Sequence, residues 1–589
     1  MVNNKIMDRW SLDALYTGYD SQEFKEDYKK AETLSKEIQK KASELSKSDE
    51  KQQLISILHL LEEYYLVITK LIYYVNLKQS VDTTDTESVA YYGRLSQIHS
   101  STSKPNAQID KFIAAADIDT YIKEDDFLSQ YEFYLKEIKG RAKHQLSDDV
   151  EEVIARFNLT GGDAWGTQQQ YMTSMLEVEY DNEITTLTGI RNLAFSEDQK
   201  VRKKAYEAEL ASYKKIEDSV AFSINNIKRQ VTAEADLRGY ESPLAMTLEK
   251  SRMSKSTLDA LLGAMDANMP KFREYLKQKA KILGYDNGLP WYELFAPIGK
   301  ASKTFTAEEA KTYLVNHFSK FSQDLADMVT TAFDDQWIDF YPRKGKVGGA
   351  FCENLPFIKE SRILTNFGGT LGDVVTLAHE LGHAYHGMHI EDHRPLNTDY
   401  TMPVAETAST FNENLIMNEA LAEADSKEEK LFLIEGQLQN LNQIICDIYS
   451  RYLFEKSVFE ESQEQFLFAE DLKKLMLKAQ EESYGDGLNE EIRHPYMWIC
   501  KSHYYSSGLS YYNFPYAFGG LFARGLYAKY KQEGSSFIPK YHKMLHATTV
   551  STVEDAARIC DIDLSSQKFW DDAFASCGEL IDEFIELTK

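Results

Sequence analysis

Proline and glycine are scarce in this chain: 12 Pro and 29 Gly in 589 residues, where average usage gives about 30 and about 40. That deficit excludes collagen-like and linker-rich chains and disfavours a turn-dense all-β fold, leaving long helices as the better fit. Cysteine is also sparse. Cys352, Cys446, Cys500, Cys560 and Cys577 are odd in number, scattered, and include no C-x-x-C pair, which is unlike a disulfide framework or zinc knuckle and suits a reducing compartment. Positive charge is in deficit, with Lys+Arg 66 against Asp+Glu 93 and a net charge of -27. A phosphate backbone or an anionic bilayer would repel such a surface, so neither nucleic acid nor membrane is an expected partner. No stretch approaches the roughly 20 apolar residues that span a bilayer, and Met1–Tyr16 lacks the basic start and apolar run of a secretory signal. A cytoplasmic location is expected.

What the chain does have is a 43% apolar, 27% charged composition, enough to bury a large core. Before Pro243 the only proline is Pro105. Ser21–Ser48, Lys51–Ser80 and Glu87–Ser100 place apolar residues at three- and four-residue intervals, the pattern of amphipathic helices. In Met175–Thr188 (MLEVEYDNEITTLT), alternation around Asp181-Asn182 predicts a hairpin. Helical periodicity returns from Ser196 to Arg238. Phe340–Thr370 is rich in Gly, β-branched and aromatic residues, with a strand expected at Arg362–Phe367, and helices resume at Leu371. No linker separates independent units. The expected division is a mainly helical N-terminal lobe with a short hairpin, 1–195, and a second domain, 196–589.

The sharpest motif is His379-Glu380-Leu381-Gly382-His383 within Leu371–His389 (LGDVVTLAHELGHAYHGMH). Four residues are about 1.1 helical turns, so His379 and His383 project from one side of a helix, spaced to bind one metal ion with Glu380 beside the open position. Thr370 and Asp373 provide a capping box, which places the histidines well inside the helix. Gly382 costs about 1 kcal/mol of helix propensity, a sacrifice that makes sense if another backbone must approach closely there. Two imidazoles leave zinc short of its usual three protein ligands, and two residues compete for the vacancy. His389 has the spacing of the pattern H-E-x-x-H-x-x-G-x-x-H, but His386 stands where that pattern needs glycine for a sharp turn. Glu406 lies in Met402–Glu413 (MPVAETASTFNE), where Pro403 suits a helix start and Glu406, Ser409, Thr410 and Glu413 share one face. Glu406 is the favoured ligand. Glu413 is placed to accept the free ring N–H of a ligating histidine. His386 is expected to support the site or face the substrate, and His389 and His393 to lie at the surface or in a loop.

A third cluster, Lys501–Gly520 (KSHYYSSGLSYYNFPYAFGG), crowds His503, Tyr504, Tyr505, Tyr511, Tyr512 and Tyr516 together. Aromatics are usually core, yet phenol and imidazole donors also suit the negative charge that develops on a carbonyl oxygen during peptide hydrolysis.

With these residues in view, the chain resembles oligoendopeptidase F of the thimet-oligopeptidase-like family of zinc metallopeptidases. The resemblance runs from about Ser196 to the C-terminus. It rests on HELGHAYHG, VAETASTFNE, GKVGGAF, RGYESPLAMTLE at Arg238–Glu249 and SHYYSSGLSYYNFPYAFG, with WSLDALY at Trp10–Tyr16 also similar to the family's N-terminus. It implies one Zn²⁺ held by His379, His383 and Glu406, Glu380 as general base toward a zinc-activated water, and His503, Tyr512 and Tyr516 facing the substrate. It also implies a mostly helical, two-lobed zincin-type fold with a deep substrate channel, a small β-sheet near the active site, and endopeptidase activity on short unstructured oligopeptides. Phe514 departs from the family by standing where many members carry another tyrosine. The strand near Arg362–Phe367 is expected to pair with the substrate backbone. The rival from another class is a catalytically silent helical scaffold that binds peptides.

Overall fold

The computed structural model describes residues 6–46, 48–300 and 303–589; Met1–Lys5, the start of the stretch read for a signal, lie outside them. The first three helices, α1 (Gln22–Glu44), α2 (Glu50–Val81) and α3 (Thr86–Ser100), follow the periodicities closely. The predicted hairpin forms as β1 (Glu177–Tyr180) and β2 (Glu183–Thr186), paired antiparallel. Its two turn residues, Asp181 and Asn182, have φ of 54° and 65°, the left-handed pair that a tight two-residue hairpin requires. The helical pattern after Ser196 resolves into two helices, Gln199–Tyr213 and Glu217–Leu237.

Further along come α4 (Gln323–Asp334), β3 (Ile338–Asp339), β4 (Phe351–Leu355), β5 (Glu360–Leu364) and α5 (Leu371–Ile390). Beyond them lie α6 (Thr407–Glu423), α7 (Phe514–Glu533) and α8 (Ile538–Ala547). The three strands form a mixed sheet in the order β3-β5-β4, with β3 parallel and β4 antiparallel to β5. This corrects the expectation for substrate pairing. The Arg362 strand is the central one, and the sheet's two edges are β3 and β4, of which β4 is the longer at five residues against two.

Apolar packing divides into two cores. One gathers Trp10 to Ile138 and the other Leu176 to Phe584. The hairpin and the turn of helix after it contribute Val178, Leu187 and Ile190 to the larger core. The sheet lies between the two. Along β5, Ile363 packs into the larger core and Leu364 into the smaller one, as alternation across a strand demands. Among the described residues, no helix is long and apolar enough to cross a membrane.

Candidate active site

The helix α5 begins as its sequence dictates. The Thr370 hydroxyl accepts from Asp373 N at 3.2 Å and the Asp373 carboxylate accepts from Thr370 N at 2.8 Å, closing the capping box. Leu371, Val374, Leu377, Ala378, Leu381 and Ala384 are buried against the larger core, which fixes the opposite face and with it the azimuth of both histidines. The two rings stand 4.9 Å apart at 82°.

Gly382 is required by what crosses it. A Cβ there would lie 2.4 Å from Ser409 Cα and 2.6 Å from Ala408 O, so only glycine admits α6 at this distance. That contact delivers Glu406. The residue does not sit inside a helix as expected: a short helix, Met402–Ala405, ends on it, α6 starts after it, and its own φ and ψ are -88° and 8°. The break turns its carboxylate toward α5. Glu406 Oε2 lies 3.2 Å from His379 Nε2 and 3.4 Å from His383 Nε2, and accepts from the Ser409 hydroxyl at 2.9 Å. Glu413, two turns on, bonds His379 Nδ1 from the other side. Gly519 of α7 also lies close, since a Cβ there would be 3.1 Å from Glu406 Cβ.

Charge in the site follows from this crowding. Burial disfavours a charged His379 ring, but the bonds to Glu406 and Glu413 outweigh it and push the ring up to about 10. Burial works against ionised Glu406 too, and the two imidazoles overcome it, holding the carboxylate far below its ordinary range. Glu380, 6% exposed, is raised by burial, with the two histidines pulling the other way.

The aromatic segment folds into a three-ring cluster. His503 stacks on Tyr512 at 5.1 Å and 18°, and Tyr516 stands edge-on to both. Burial raises the Tyr516 phenol, with a bond to Tyr512 and the nearby Glu406 carboxylate adding to it. His503 is lowered to about 4 by burial and by Arg451 and Lys501, so it is neutral at pH 7. The neighbouring tyrosines, by contrast, are core: Tyr504, Tyr505 and Tyr511 are all buried. Two anchors hold the segment. Glu455 accepts from Tyr511 N at 3.1 Å and from Lys228 Nζ at 2.6 Å, both side chains of that ion pair being fully buried. On the other side, a helix of the N-terminal part, Gly162–Ser174, comes so close that a Cβ on Gly166 would lie 2.6 Å from Tyr505 O.

Other expectations need correction. His386 does not face a substrate: it is 0% exposed, stacked on Tyr400 at 4.3 Å and 8°, with Nε2 on the Thr548 hydroxyl. His389 is not a surface residue but packs edge-on to Tyr385 and face-on to His542. His393 lies in the loop after α5 as expected, half-buried, with Nε2 bonded to the His546 carbonyl oxygen. A cavity of about 570 Å³ opens beside the site, lined by Tyr65 and Tyr73 of α2, by Glu353 and Asn354 of β4, by Gly387 one turn beyond His383, and by Tyr400. Burial lifts Glu353 to about 7. Sequence spacing gave no hint of Glu353 or Tyr400, because α2 and the loop before residue 402 meet β4 only in the folded chain.

The group B oligopeptidase PepB of Streptococcus agalactiae is 25% identical over 556 residues, covering 92% of this chain and 91% of its own. Oligopeptidase PepF of Bacillus subtilis is 22% identical over 595 residues, covering 99% and 88%. The crystal structure of oligoendopeptidase-F from Enterococcus faecium superposes with a TM-score of 0.71 at 20% identity, covering 96% of this chain and 99% of that one, and PZ peptidase A does so with 0.71 at 14%, covering 94% and 97%; at such identities these two show the fold. Residues 113–177 match the family model Oligopeptidase F. Residues 192–576, well over half the chain and including every residue of the site, match the model Peptidase family M3, and the protein therefore belongs to that family of metallopeptidases.

Proposed function

We propose that the protein is a zinc-dependent endopeptidase that hydrolyses internal bonds of short, unstructured oligopeptides. The observation that carries this reading is the convergence of two imidazole nitrogens from adjacent turns on one oxygen of Glu406, at 3.2 and 3.4 Å. Donor atoms around a tetrahedral ion with bonds of about 2.0–2.1 Å lie roughly 3.3–3.4 Å apart, so both carboxylate–imidazole spacings suit zinc, and the three ligand atoms all lie within 4.8 Å of one another. His379 also has a carboxylate at each ring nitrogen, an arrangement that suits an ion in place of the Nε2 proton, with Glu413 fixing the tautomer. A zinc ion held there supplies Lewis acidity toward the scissile carbonyl and toward water.

The rest is done by the chain's own side chains. Glu380, whose burial raises its proton affinity, takes a proton from the attacking water on its carboxylate and passes it to the leaving amine. The Tyr516 hydroxyl and the neutral His503, backed by Tyr512, donate to the carbonyl oxygen as its charge develops. The free flank of β4 pairs with the extended peptide backbone, which gives affinity without demanding particular side chains. The test is cleavage of a quenched fluorescent peptide, with the cut located by mass spectrometry. Activity should vanish with a chelator and return with Zn²⁺. Peptide binding without turnover at any zinc level would overturn the proposal in favour of a scaffold.

A further inference from the structure

His389, the losing candidate for the catalytic metal, belongs to a second cluster nearer the C-terminal end of α5. It lies ten residues after His379, and its ring stacks on His542 of α8 at 4.4 Å and 28°. His542 Nε2 lies 3.5 Å from Asp324 Oδ2, in the first turn of α4. One ring nitrogen from each histidine and one Asp324 oxygen all lie within 4.8 Å of one another. The Tyr385 hydroxyl sits at the same junction, donating to Asp324 Oδ2 at 2.9 Å and meeting His542 Nε2 at 2.6 Å.

We propose that Asp324, His389 and His542 form a second divalent-metal site, taking zinc or another ion that prefers imidazole and carboxylate ligands. Three arguments support it. First, the donor set of two imidazoles and a carboxylate repeats that of the Glu406 site, and it suits borderline first-row ions while discouraging Mg²⁺ and Ca²⁺, which want oxygen alone. The 3.5 Å between Asp324 and His542 already matches the spacing around a tetrahedral ion; the His389 ring closes the remainder by swinging off its stack. Second, hydrogen bonding accounts for Asp324 and His542 but not for His389. His389 Nε2 is buried with no hydrogen-bond partner, and a ring held only by stacking leaves its nitrogen unused, which a ligand would remedy. Third, the site has an entrance: the Asp324 and His542 side chains are 39% and 26% exposed, and Asp324 lines the 570 Å³ cavity, leaving an open position for water as a fourth ligand. An ion here uses the His542 tautomer protonated at Nδ1, while Tyr385 keeps its bond to Asp324 and orients the carboxylate, a supporting contact of the kind metal sites rely on. It ties α4 and α8 to α5, the helix that also carries His379 and His383.

The test counts metal. Chelator-stripped protein is equilibrated with Zn²⁺ at buffered free concentration, and the bound ion is measured by elemental mass spectrometry. Two ions are expected per wild-type chain, one each in His542→Ala, Asp324→Asn and Glu406→Ala, and none in the Glu406→Ala/His542→Ala double variant. Asp324→Asn keeps the side-chain shape and carries the test if His542→Ala does not fold. A wild type holding one ion that Glu406→Ala abolishes overturns the second site, as do His542→Ala and Asp324→Asn chains that retain both ions. One ion lost in His542→Ala but kept in Glu406→Ala upholds this site and overturns the first.

Discussion

In the proposed mechanism Glu380 and Tyr516 divide the chemistry at the level of single residues, and their variants should separate cleanly. Glu380→Gln keeps the shape of the side chain and removes its basicity, so zinc content should be unchanged while turnover falls roughly 10²-fold or more; normal turnover in the zinc-loaded variant would refute the base. Tyr516→Phe removes one donor to the developing oxyanion and should lower kcat by about 10²-fold with little change in KM; a rise in KM alone would make it a binding residue. The two histidines and Glu380 were legible because four-residue spacing on a helix fixes them relative to one another whatever the rest of the fold does. Glu406 was legible as a residue type at a distance, through the glycine missing at His386. Its conformation was not, since the break at φ -88° is imposed by the crossing of α6 over Gly382. Asp324 and His542, by contrast, are separated from His389 by 65 and 153 residues and carry no local signature.

At the level of elements, the site depends on helices brought unusually close and on one buried ion pair. Gly382→Ala puts a methyl group 2.4 Å from Ser409 Cα, which α6 can relieve only by moving away with Glu406. Overpacking of this kind costs about 1–3 kcal/mol or more, and both a lower unfolding midpoint and weaker zinc retention are expected; zinc affinity equal to the wild type would show that the crossing does not position Glu406. The Lys228–Glu455 pair is fully buried and holds Tyr511 N next to Tyr512. Lys228→Met leaves Glu455 charged and unpaired, which costs about 3–5 kcal/mol and should reduce turnover by loosening the aromatic segment. A denaturation curve superposable on the wild type would contradict this. The capped start of α5 and the Asp181-Asn182 hairpin could be read in advance because caps and tight turns are local. The placing of β4 at the free flank could not: Phe351–Leu355 is five residues with a charge and an amide among them, and only pairing with β5 makes it a strand.

For the molecule as a whole, stability should fall in acid for a reason visible in its histidines. Burial, with His383 and His389 nearby, lowers His386 to about 3, and burial with His542 nearby lowers His389 to about 4; an unfolded chain has these groups near 6.5. Between pH 6.5 and 4 the unfolded state therefore binds protons that the folded state refuses, so the stability these neutral rings provide is complete above 6.5 and is lost as the pH drops. His386→Gln should flatten the dependence of unfolding free energy on pH by about 1.4 kcal/mol per unit across that window; an unchanged slope would mean that His386 takes up its proton in the folded protein. The mostly helical class was legible from the scarcity of proline and glycine and from three- and four-residue periodicity. The two cores sharing one small sheet were not, since Leu355 and Leu364 join residues more than 200 positions earlier in the chain. The proposed peptide hydrolysis rests on one ion gripped by His379, His383 and Glu406, and anomalous diffraction at the zinc absorption edge from zinc-equilibrated crystals measures that directly. The account predicts a peak about 2.0–2.2 Å from His379 Nε2, His383 Nε2 and a Glu406 carboxylate oxygen; no peak between those three residues, or one ligated by His389 in place of Glu406, would contradict it.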